Sequence, residues 1–321
     1  MTLSPAPSGA AVAAEAVPSR PRRRSRLTWA RAARGSVPYL LILPVVATVG
    51  AILGYPLYRL VDLSFQRYGL FELIQRKGVD VGLDNYRSVL QDPVFRDTLV
   101  RTIVFTVANV ALTMVLGTLI ALLLVRVSSW VRIPLTAGLV LVWAMPPVVA
   151  VQVWYWMTNF ENGVVNYVFS RLHLADAQHD WYATPFSQLS LVTALIVWGA
   201  IPFVVVTVYA GLAQVPRELV EAAEVDGAGS WGRFRHVTLP LLKPVLAVVV
   251  LFSTVFTFAD FNIVQILTRG GPVNTTHLFA TLAYQQGLQG GNLGQGAAIS
   301  LFLFPLLAAV VFFQLRYIRR E

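Results

Sequence analysis

Six long apolar segments dominate this sequence and limit the folds that it can adopt. They cover about residues 38–63, 98–125, 133–157, 188–213, 241–264 and 295–316. A helix needs about 20 mostly apolar residues to cross the roughly 30 Å hydrocarbon core of a bilayer. The chain is 56% hydrophobic and 13% charged, whereas soluble domains carry about 25% charged residues. The sequence therefore predicts an all-α, polytopic membrane protein with six transmembrane helices.

Several classes of functional site are excluded by residues that the sequence lacks. The 321 residues include no cysteine, which excludes disulfides and thiolate metal sites. None of the four histidines has another histidine four residues away, so the pattern of a helical zinc hydrolase is missing. There is also no G-x-x-x-x-G-K-[ST] phosphate loop and no G-x-S-x-G motif. We therefore expect no enzyme activity, no catalytic residue, no metal and no cofactor bound by this chain.

The positive charges indicate how the chain is oriented in the membrane. The net charge is +9, and seven arginines precede the first apolar segment: Arg20, Arg22, Arg23, Arg24, Arg26, Arg31 and Arg34. Such a cluster acts as a topology signal and contacts the headgroups of anionic membrane lipids, so we expect no nucleic-acid partner. The turn at 126–132 and the C-terminus are also basic, which predicts that both termini are cytoplasmic.

The predicted arrangement has five parts. A disordered, Arg-rich cytoplasmic tail precedes the first transmembrane helix, which is too long for the 7–15-residue core of a signal peptide and is expected to be retained. An extracytoplasmic loop, a core of five helices that contains a charged loop at 214–240, and a short cytoplasmic tail follow. The five parts are 1–36, 37–63, 64–97, 98–316 and 317–321.

The loop at 214–240 is charged and prone to form helices. We expect a first helix to begin at Pro216, because the φ of proline suits a first helical position. Gly227 is expected to end that helix in the left-handed conformation, and Ser230 to cap a second short helix. Pro240 and Pro244 then mark the start of the fifth span.

The same loop carries a family signature. Its pattern is E-A-A, three residues, G, nine residues, then I-x-L-P, with Val237 in place of Ile as the only departure. This pattern resembles the EAA loop of bacterial binding-protein-dependent ABC importer permeases. The resemblance implies that a separate ATPase grips the loop and that Glu221 makes a charged contact with it. The residues that it assigns to ATPase coupling are Glu221, Ala222, Ala223, Asp226, Gly227, Leu239 and Pro240.

Two further motifs narrow the resemblance. G-L-D-N-Y at 82–86 follows the first apolar segment, and T-R-G-G-P at 268–272 follows the fifth. Both are typical of the carbohydrate-uptake branch, in the subunit with the longer first outer loop. The resemblance implies a type I ABC importer transmembrane domain in the bacterial plasma membrane. It also implies a second homologous permease subunit, two ATP-binding subunits that hold ATP and Mg, and an extracytoplasmic sugar-binding protein.

Polar and aromatic residues within the spans indicate a path for the substrate. Four of them, at i, i+3, i+4 and i+7, share one face of the fifth-span helix: Ser253, Phe256, Thr257 and Asp260. A carboxylate in a span usually faces a cavity or a partner, and hydroxyls beside an aromatic ring suit a sugar. The resemblance to maltose-type permeases places sugar contacts at these positions and at Ile196, Ala200 and Phe203 of the fourth span.

Neighbouring residues are expected to shape this path. Thr207 continues the fourth-span face, and Pro202 is expected to kink that helix. In the third span we expect a shaping role for four residues, Trp143, Pro146, Pro147 and Gln152. The alternative for all of these positions is helix–helix packing, in which small and hydroxyl side chains are common.

The function that these residues indicate is that of a permease subunit in an ATP-driven sugar importer. A stand-alone secondary transporter of a small polar solute is the main alternative. Such a transporter usually has several buried ionisable residues in a relay, and Asp260 alone gives little support for one. A membrane enzyme or receptor has still less support. No basic residue lies mid-membrane after the first span, which favours a neutral or amino sugar, or a small oligosaccharide, over glycerol phosphate.

Overall fold

The structure, a computed structural model, describes Tyr39 and residues 41–174 and 179–318. The predicted tail 1–36 and the last residues, 319–321, lie outside the described part. The chain divides into two compact units, Met1–Leu57 and Tyr58–Glu321. The described part of the first unit is helical, and its apolar side chains, such as Leu41 and Leu53, are exposed.

Helices make up most of the described structure. The helices up to the middle of the chain are α1 (Leu41–Ser64), α2 (Leu70–Gln75), α3 (Asp84–Gln91), α4 (Pro93–Arg126), α5 (Ser129–Ala144), α6 (Pro147–Met157) and α7 (Val164–Arg171). The later helices are α8 (Pro185–Leu212), α9 (Arg217–Val225), α10 (Ser230–Arg233), α11 (Leu239–Phe258), α12 (Asn262–Leu267), α13 (Phe279–Tyr284) and α14 (Leu293–Ile318). Two short strands, β1 (Gln66–Arg67) and β2 (Val79–Asp80), pair antiparallel, with Gln66 opposite Asp80.

The long helices fit the predicted membrane spans. Five helical stretches in the described residues are long and apolar enough to cross a bilayer: Leu41–Ser64, Pro93–Arg126, Pro185–Leu212, Ser230–Leu267 and Leu293–Arg316. The pair α5 and α6 forms a sixth span if it is counted as one, although it bends by 103°. The predicted all-α fold with six transmembrane helices is therefore confirmed.

The bend between α5 and α6 has a local cause at Met145 and Pro146. A proline restricts the residue before it to extended backbone, and Met145 indeed has φ −73° and ψ 127°. Pro146 is itself extended and Pro147 begins the next helix. Two consecutive prolines thus end α5 and start α6 in a new direction.

Prolines inside two other spans do not end their helices. Pro202 lies buried within α8, which is helical from Pro185 to Leu212. Pro240 and Pro244 lie within a stretch that is helical from Ser230 to Phe258, through a π-helical turn at Phe234–Thr238. The π turn comes just before Pro240, where the missing N–H of proline loosens the regular hydrogen-bond ladder. Pro240 is the second residue of α11 and lies where that helix begins, as predicted, whereas Pro244 lies inside the helix.

The packing of α4 against α8 forms the centre of the second unit. One apolar cluster near one end of the pair contains Val192 and Leu195 of α8 with Val151 and Val264. A second cluster near the other end joins Leu124 of α4 to α8 and α11. A third cluster, around Phe95 and Phe279, attaches α13 and α14 to the start of α4.

The G-L-D-N-Y motif ties the segment between α1 and α4 to other parts of the second unit, to which it belongs. Asn85 Nδ2 donates hydrogen bonds of 2.9 Å to the carbonyl oxygens of both Ser64 and Gln66. The Tyr86 hydroxyl lies 2.7 Å from Ser64 Oγ, and its ring packs against Phe302 of α14. The polar segment predicted as a loop at 64–97 is thus an ordered set of short elements, and the second span begins within it at Pro93.

The contact of Gly117 with Val204 provides a test of the α4–α8 packing. A Cβ atom on Gly117 would lie 2.6 Å from Val204 Cγ1, whereas one on Gly138 of α5 meets nothing within 4 Å. We expect Gly117→Ala to destabilise the protein by about 1–3 kcal/mol through overpacking and Gly138→Ala to be neutral or stabilising. Thermal unfolding in detergent measures both. Equal melting temperatures for the two variants would contradict this packing.

Candidate functional site

The turn after α9 is built around Gly227. Gly227 has φ +82°, a left-handed conformation that glycine adopts without steric cost. The Ala228 N–H donates to the Ala223 carbonyl at 2.9 Å, and the Gly227 N–H donates to the Glu224 carbonyl at 3.0 Å. These two bonds form a Schellman cap, which needs a left-handed residue at this position. The predicted helix–turn–helix is present, and the cap explains the spacing between Ala223 and Gly227.

Two details of this loop differ from the prediction. Pro216 is the residue before α9 rather than its first residue, and its backbone is extended. Gly229, not Ser230, precedes α10, and the Ser230 side chain makes no cap. Ser230 Oγ instead accepts a hydrogen bond from Arg233 at 3.4 Å. The hydroxyl is thus used by a side chain one turn away and not by the backbone.

A salt bridge joins the two helices of the loop at 214–240. Arg233 of α10, which is largely buried, pairs with the exposed carboxylate of Glu224 on α9. The rings of Trp231 and Phe234 lie 5.6 Å apart on the second helix. The loop therefore forms a helical hairpin whose two helices are in contact.

The predicted ATPase-coupling residues occupy accessible positions on this hairpin. Glu221, Ala222, Asp226 and Gly227 are exposed, while Ala223 is half-buried. Leu239 and Pro240 are the first two residues of α11, so they continue the hairpin into the span. The α9 helix contains no buried residue and presents small alanine side chains that allow another surface to approach closely.

All seven residues predicted for the substrate path line one cavity. Its volume is about 490 Å³, and it lies between α5, α6, α8 and α11. Ile196, Ala200 and Phe203 come from α8, and Ser253, Phe256, Thr257 and Asp260 come from α11 and the turn after it. The structure thus brings together two sets of residues that are about fifty positions apart in sequence.

Aromatic rings form one wall of this cavity. The Phe252 and Phe256 rings are stacked with centroids 6.1 Å apart, and Phe203 meets Phe252 edge-on at 6.2 Å. Phe256 is 65% exposed and Trp143 is 64% exposed, and both residues line the cavity. Ser253 and Thr257 are buried beside them.

Asp260 lies beyond the end of α11. The helix ends at Phe258, and the Asp260 N–H donates to the Thr257 carbonyl at 3.3 Å. Asp260 Oδ1 accepts a hydrogen bond of 3.1 Å from the Ile263 N–H at the start of α12. The expectation that all four residues share one helical face is therefore wrong for Asp260, although it still reaches the cavity.

Some of the neighbouring residues were placed correctly and others were not. Trp143 and Pro147 line the cavity, as predicted. Thr207, Pro146 and Gln152 are not among the residues that line it. Phe252, Trp198 and Ile263 line it and were missed, because an apolar side chain in an apolar helix gives no signal of its own.

The T-R-G-G-P motif is held by a buried polar network. Arg101 of α4 donates to the carbonyl oxygens of Asn274 at 3.3 Å and His277 at 2.9 Å. The His277 ring is buried against Gly270, where a Cβ atom would collide with it. Burial, and then the charge of Arg101, lower the pKa of His277 to about 4, so the ring is neutral at pH 7. This network was not predicted from the sequence.

Comparisons with known proteins agree with this geometry. A family model described as "Binding-protein-dependent transport system inner membrane component" matches residues 113–321. The chain is 40% identical over 298 residues to the diacetylchitobiose uptake system permease protein DasB of Streptomyces coelicolor, which covers 92% of this chain and 91% of that protein. It is 33% identical over 300 residues to the trehalose/maltose transport system permease protein MalF of Thermococcus litoralis, covering 92% and 98% of the two chains.

A solved structure has the same fold. The match is a chain of a bacterial alginate ABC transporter in complex with an alginate pentasaccharide-bound periplasmic protein. The TM-score is 0.77 at 21% identity, over 92% of this chain and 98% of that chain. The predicted fold of an ABC importer transmembrane domain is therefore confirmed.

The contribution of the salt bridge between Glu224 and Arg233 to the rigidity of the hairpin can be tested. We expect Glu224→Gln to raise the hydrogen–deuterium exchange of amides 228–238 by up to about fivefold, because a salt bridge with an exposed carboxylate contributes about 0.2–1 kcal/mol. Glu218→Gln is the matched control, since Glu218 is exposed on the same helix and forms none of the salt bridges found among the described residues. Unchanged exchange in Glu224→Gln would show that the pair does not hold the hairpin.

Proposed function

Because the chain belongs to the family of binding-protein-dependent transport system inner membrane components, we propose that it is a permease subunit of an ATP-driven sugar importer. The observation that carries this proposal is the cavity that α8 and α11 share. It offers the hydroxyls of Ser253 and Thr257, the carboxylate of Asp260 and the open ring of Phe256. These groups suit the hydroxyls and the apolar C–H face of a sugar.

The substrate class follows from the charges around the cavity. Of the residues that line it, none is Lys or Arg, and Asp260 is the single charged one. A phosphorylated or acidic substrate would leave its charge unpaired there, whereas a neutral or amino sugar would not. The names of two relatives, which refer to diacetylchitobiose and to trehalose and maltose, support a monosaccharide or small oligosaccharide. They also support an importer over a stand-alone secondary transporter.

The partners that we propose are those of an importer complex. A second homologous permease would complete the cavity, whose exposed rings Trp143 and Phe256 otherwise face open space. An extracytoplasmic sugar-binding protein would deliver the substrate, and a complex of this kind is named for the solved alginate transporter. Two ATP-binding subunits would hold ATP and Mg, because this chain lacks a phosphate loop and binds no cofactor itself.

The orientation that we propose places both termini and the loop 214–240 in the cytoplasm. The arginines of the N-terminal tail and of the turn 126–132 support this orientation through the positive-inside rule. ATP is then available on the side where α9 is exposed. The complex would lie in the bacterial plasma membrane, where this chain is a multi-pass protein.

A single helical stretch offers a mechanical link between the two sites. From Ser230 in the hairpin to Phe256 in the cavity the chain is helical throughout, and at about 1.5 Å per residue this distance is roughly 39 Å. When two ATPases close around ATP, a displacement of the hairpin would be transmitted along this helix to the cavity wall. Glu221, Ala222, Ala223, Asp226 and Gly227 would form the surface that the ATPase moves.

Asp260→Asn tests the cavity. We expect sugar uptake at limiting substrate to fall roughly tenfold or more, because a hydrogen bond to a charged group contributes about 1.5–3 kcal/mol. ATPase binding should not change, since Asp260 is far from the hairpin. Asp84→Asn, on an exposed carboxylate outside the cavity, is the control. Normal uptake by Asp260→Asn across several sugars would remove this residue from the path.

Glu221→Ala tests the coupling surface. We expect roughly tenfold less ATPase to co-purify, which corresponds to about 1.4 kcal/mol, and sugar uptake to fall with it. Membrane insertion should remain normal because Glu221 is exposed. Glu218→Ala, one turn earlier on the same helix, is the control. Normal recruitment and normal uptake by Glu221→Ala would exclude a docking role for this residue.

A further inference from the structure

Two cavities meet at the hairpin end of α4. The first, the basic pocket, has a volume of about 580 Å³ and is lined by Arg126, Arg132, Arg217 and Arg233. The second, the apolar groove, has a volume of about 700 Å³ and runs along α4 beside Trp231. Leu122, Arg126, Ser230 and Phe234 line both cavities, so one ligand can extend from one to the other.

The basic pocket has positive charge that the protein does not neutralise. Glu221 is the single carboxylate among its lining residues. Arg233 is paired with Glu224, and Arg132 lies over the Tyr209 ring at 5.9 Å. Arg126 and Arg217 form none of the salt bridges found within residues 39, 41–174 and 179–318. Two guanidinium groups, one on α4 and one on α9, are therefore available to a phosphate, which matches their planar geometry.

The apolar groove has the dimensions of one leaflet. It runs along α4 from Met114 to Arg126, which at about 1.5 Å per residue is roughly 18 Å, compared with about 15 Å for half of the hydrocarbon core. Arg126 is the one charged residue among its lining residues. Val115 and Leu119 are each 58% exposed along it. Trp231 lines the groove close to Arg126 in the same hairpin region, and indole rings are enriched at membrane interfaces.

We propose that the basic pocket and the apolar groove together bind one anionic phospholipid. Its phosphate lies between Arg126 and Arg217, and an acyl chain fills the groove beside Leu119. The basic pocket continues directly into the apolar groove, and this arrangement favours a lipid over a free anion or a protein helix. The bound lipid bridges the end of α4 and the coupling helix α9. Its effect on ATP-driven transport rests on the proposed function, but its binding does not.

The test uses the full-length chain in detergent and native mass spectrometry. Phosphatidylglycerol and phosphatidylcholine with the same dioleoyl chains are titrated separately. We expect phosphatidylglycerol to bind with a dissociation constant at least tenfold lower, and Arg126→Gln/Arg217→Gln to remove that difference. Leu119→Trp, which fills the groove, should weaken both lipids. Arg235→Gln is the matched control, because Arg235 is exposed in the same loop and lines neither cavity.

Three results would overturn the proposal. The first is equal phosphatidylglycerol binding by the wild type and by Arg126→Gln/Arg217→Gln. The second is complete competition by inorganic phosphate at millimolar concentration, which would identify a free-anion site. The third is loss of the lipid when the second permease subunit is assembled with the chain, which would show that protein covers the groove.

A second variant pair guards against a folding defect. Arg126→Lys/Arg217→Lys keeps the charge but removes the planar fork, so it should retain part of the preference for phosphatidylglycerol. All variants are compared by size-exclusion profile before titration. Sugar uptake is not a readout of this experiment, so its failure would leave the proposed function intact.

Discussion

The close packing of α4 against α8 is the constraint on which the rest of the second unit depends. Gly117 allows Val204 to approach the α4 backbone, and the clusters around Leu195 and Leu124 continue the contact in both directions. Because one side of α8 is fixed in this way, its other side is free to present Ile196, Ala200 and Phe203 to the cavity. In a bilayer, where lipid tails solvate apolar side chains as well as a protein core does, such close backbone approach is what holds helices together.

The sequence predicts those features of the fold that depend on length or on one residue type. The spans follow from apolar length, and the end of α9 follows from Gly227. The 103° bend was not predicted, since two prolines indicate a break but not its direction. The sequence predicts Asp260 on the fifth-span helix, but that helix ends two residues before it. Helical periodicity does not show where a helix ends, and the Asp260 carboxylate instead accepts a hydrogen bond from the backbone of the next helix.

The candidate site was predicted better than its surroundings for a physical reason. Ser253, Thr257 and Asp260 are unusual in an apolar segment and therefore stand out in sequence, and the structure places them in one cavity. Phe252 and Trp198 line the same cavity but look like ordinary lipid-facing or packing residues. The network of Arg101 and His277 is equally invisible in sequence, because it depends on contacts between residues that are 176 positions apart.

The unbroken helix from the hairpin to the cavity has an evolutionary consequence. Each residue inserted or deleted between Ser230 and Phe256 would turn one end relative to the other by about 100°, and would aim Ser253 and Phe256 away from the cavity. A change of side chain along that segment therefore keeps the register between hairpin and cavity, whereas a change in its number of residues would alter it. The segment between α1 and α4 differs in this respect, because turns separate its short helices and strands, so a change in the length of a turn there does not rotate the hairpin relative to the cavity.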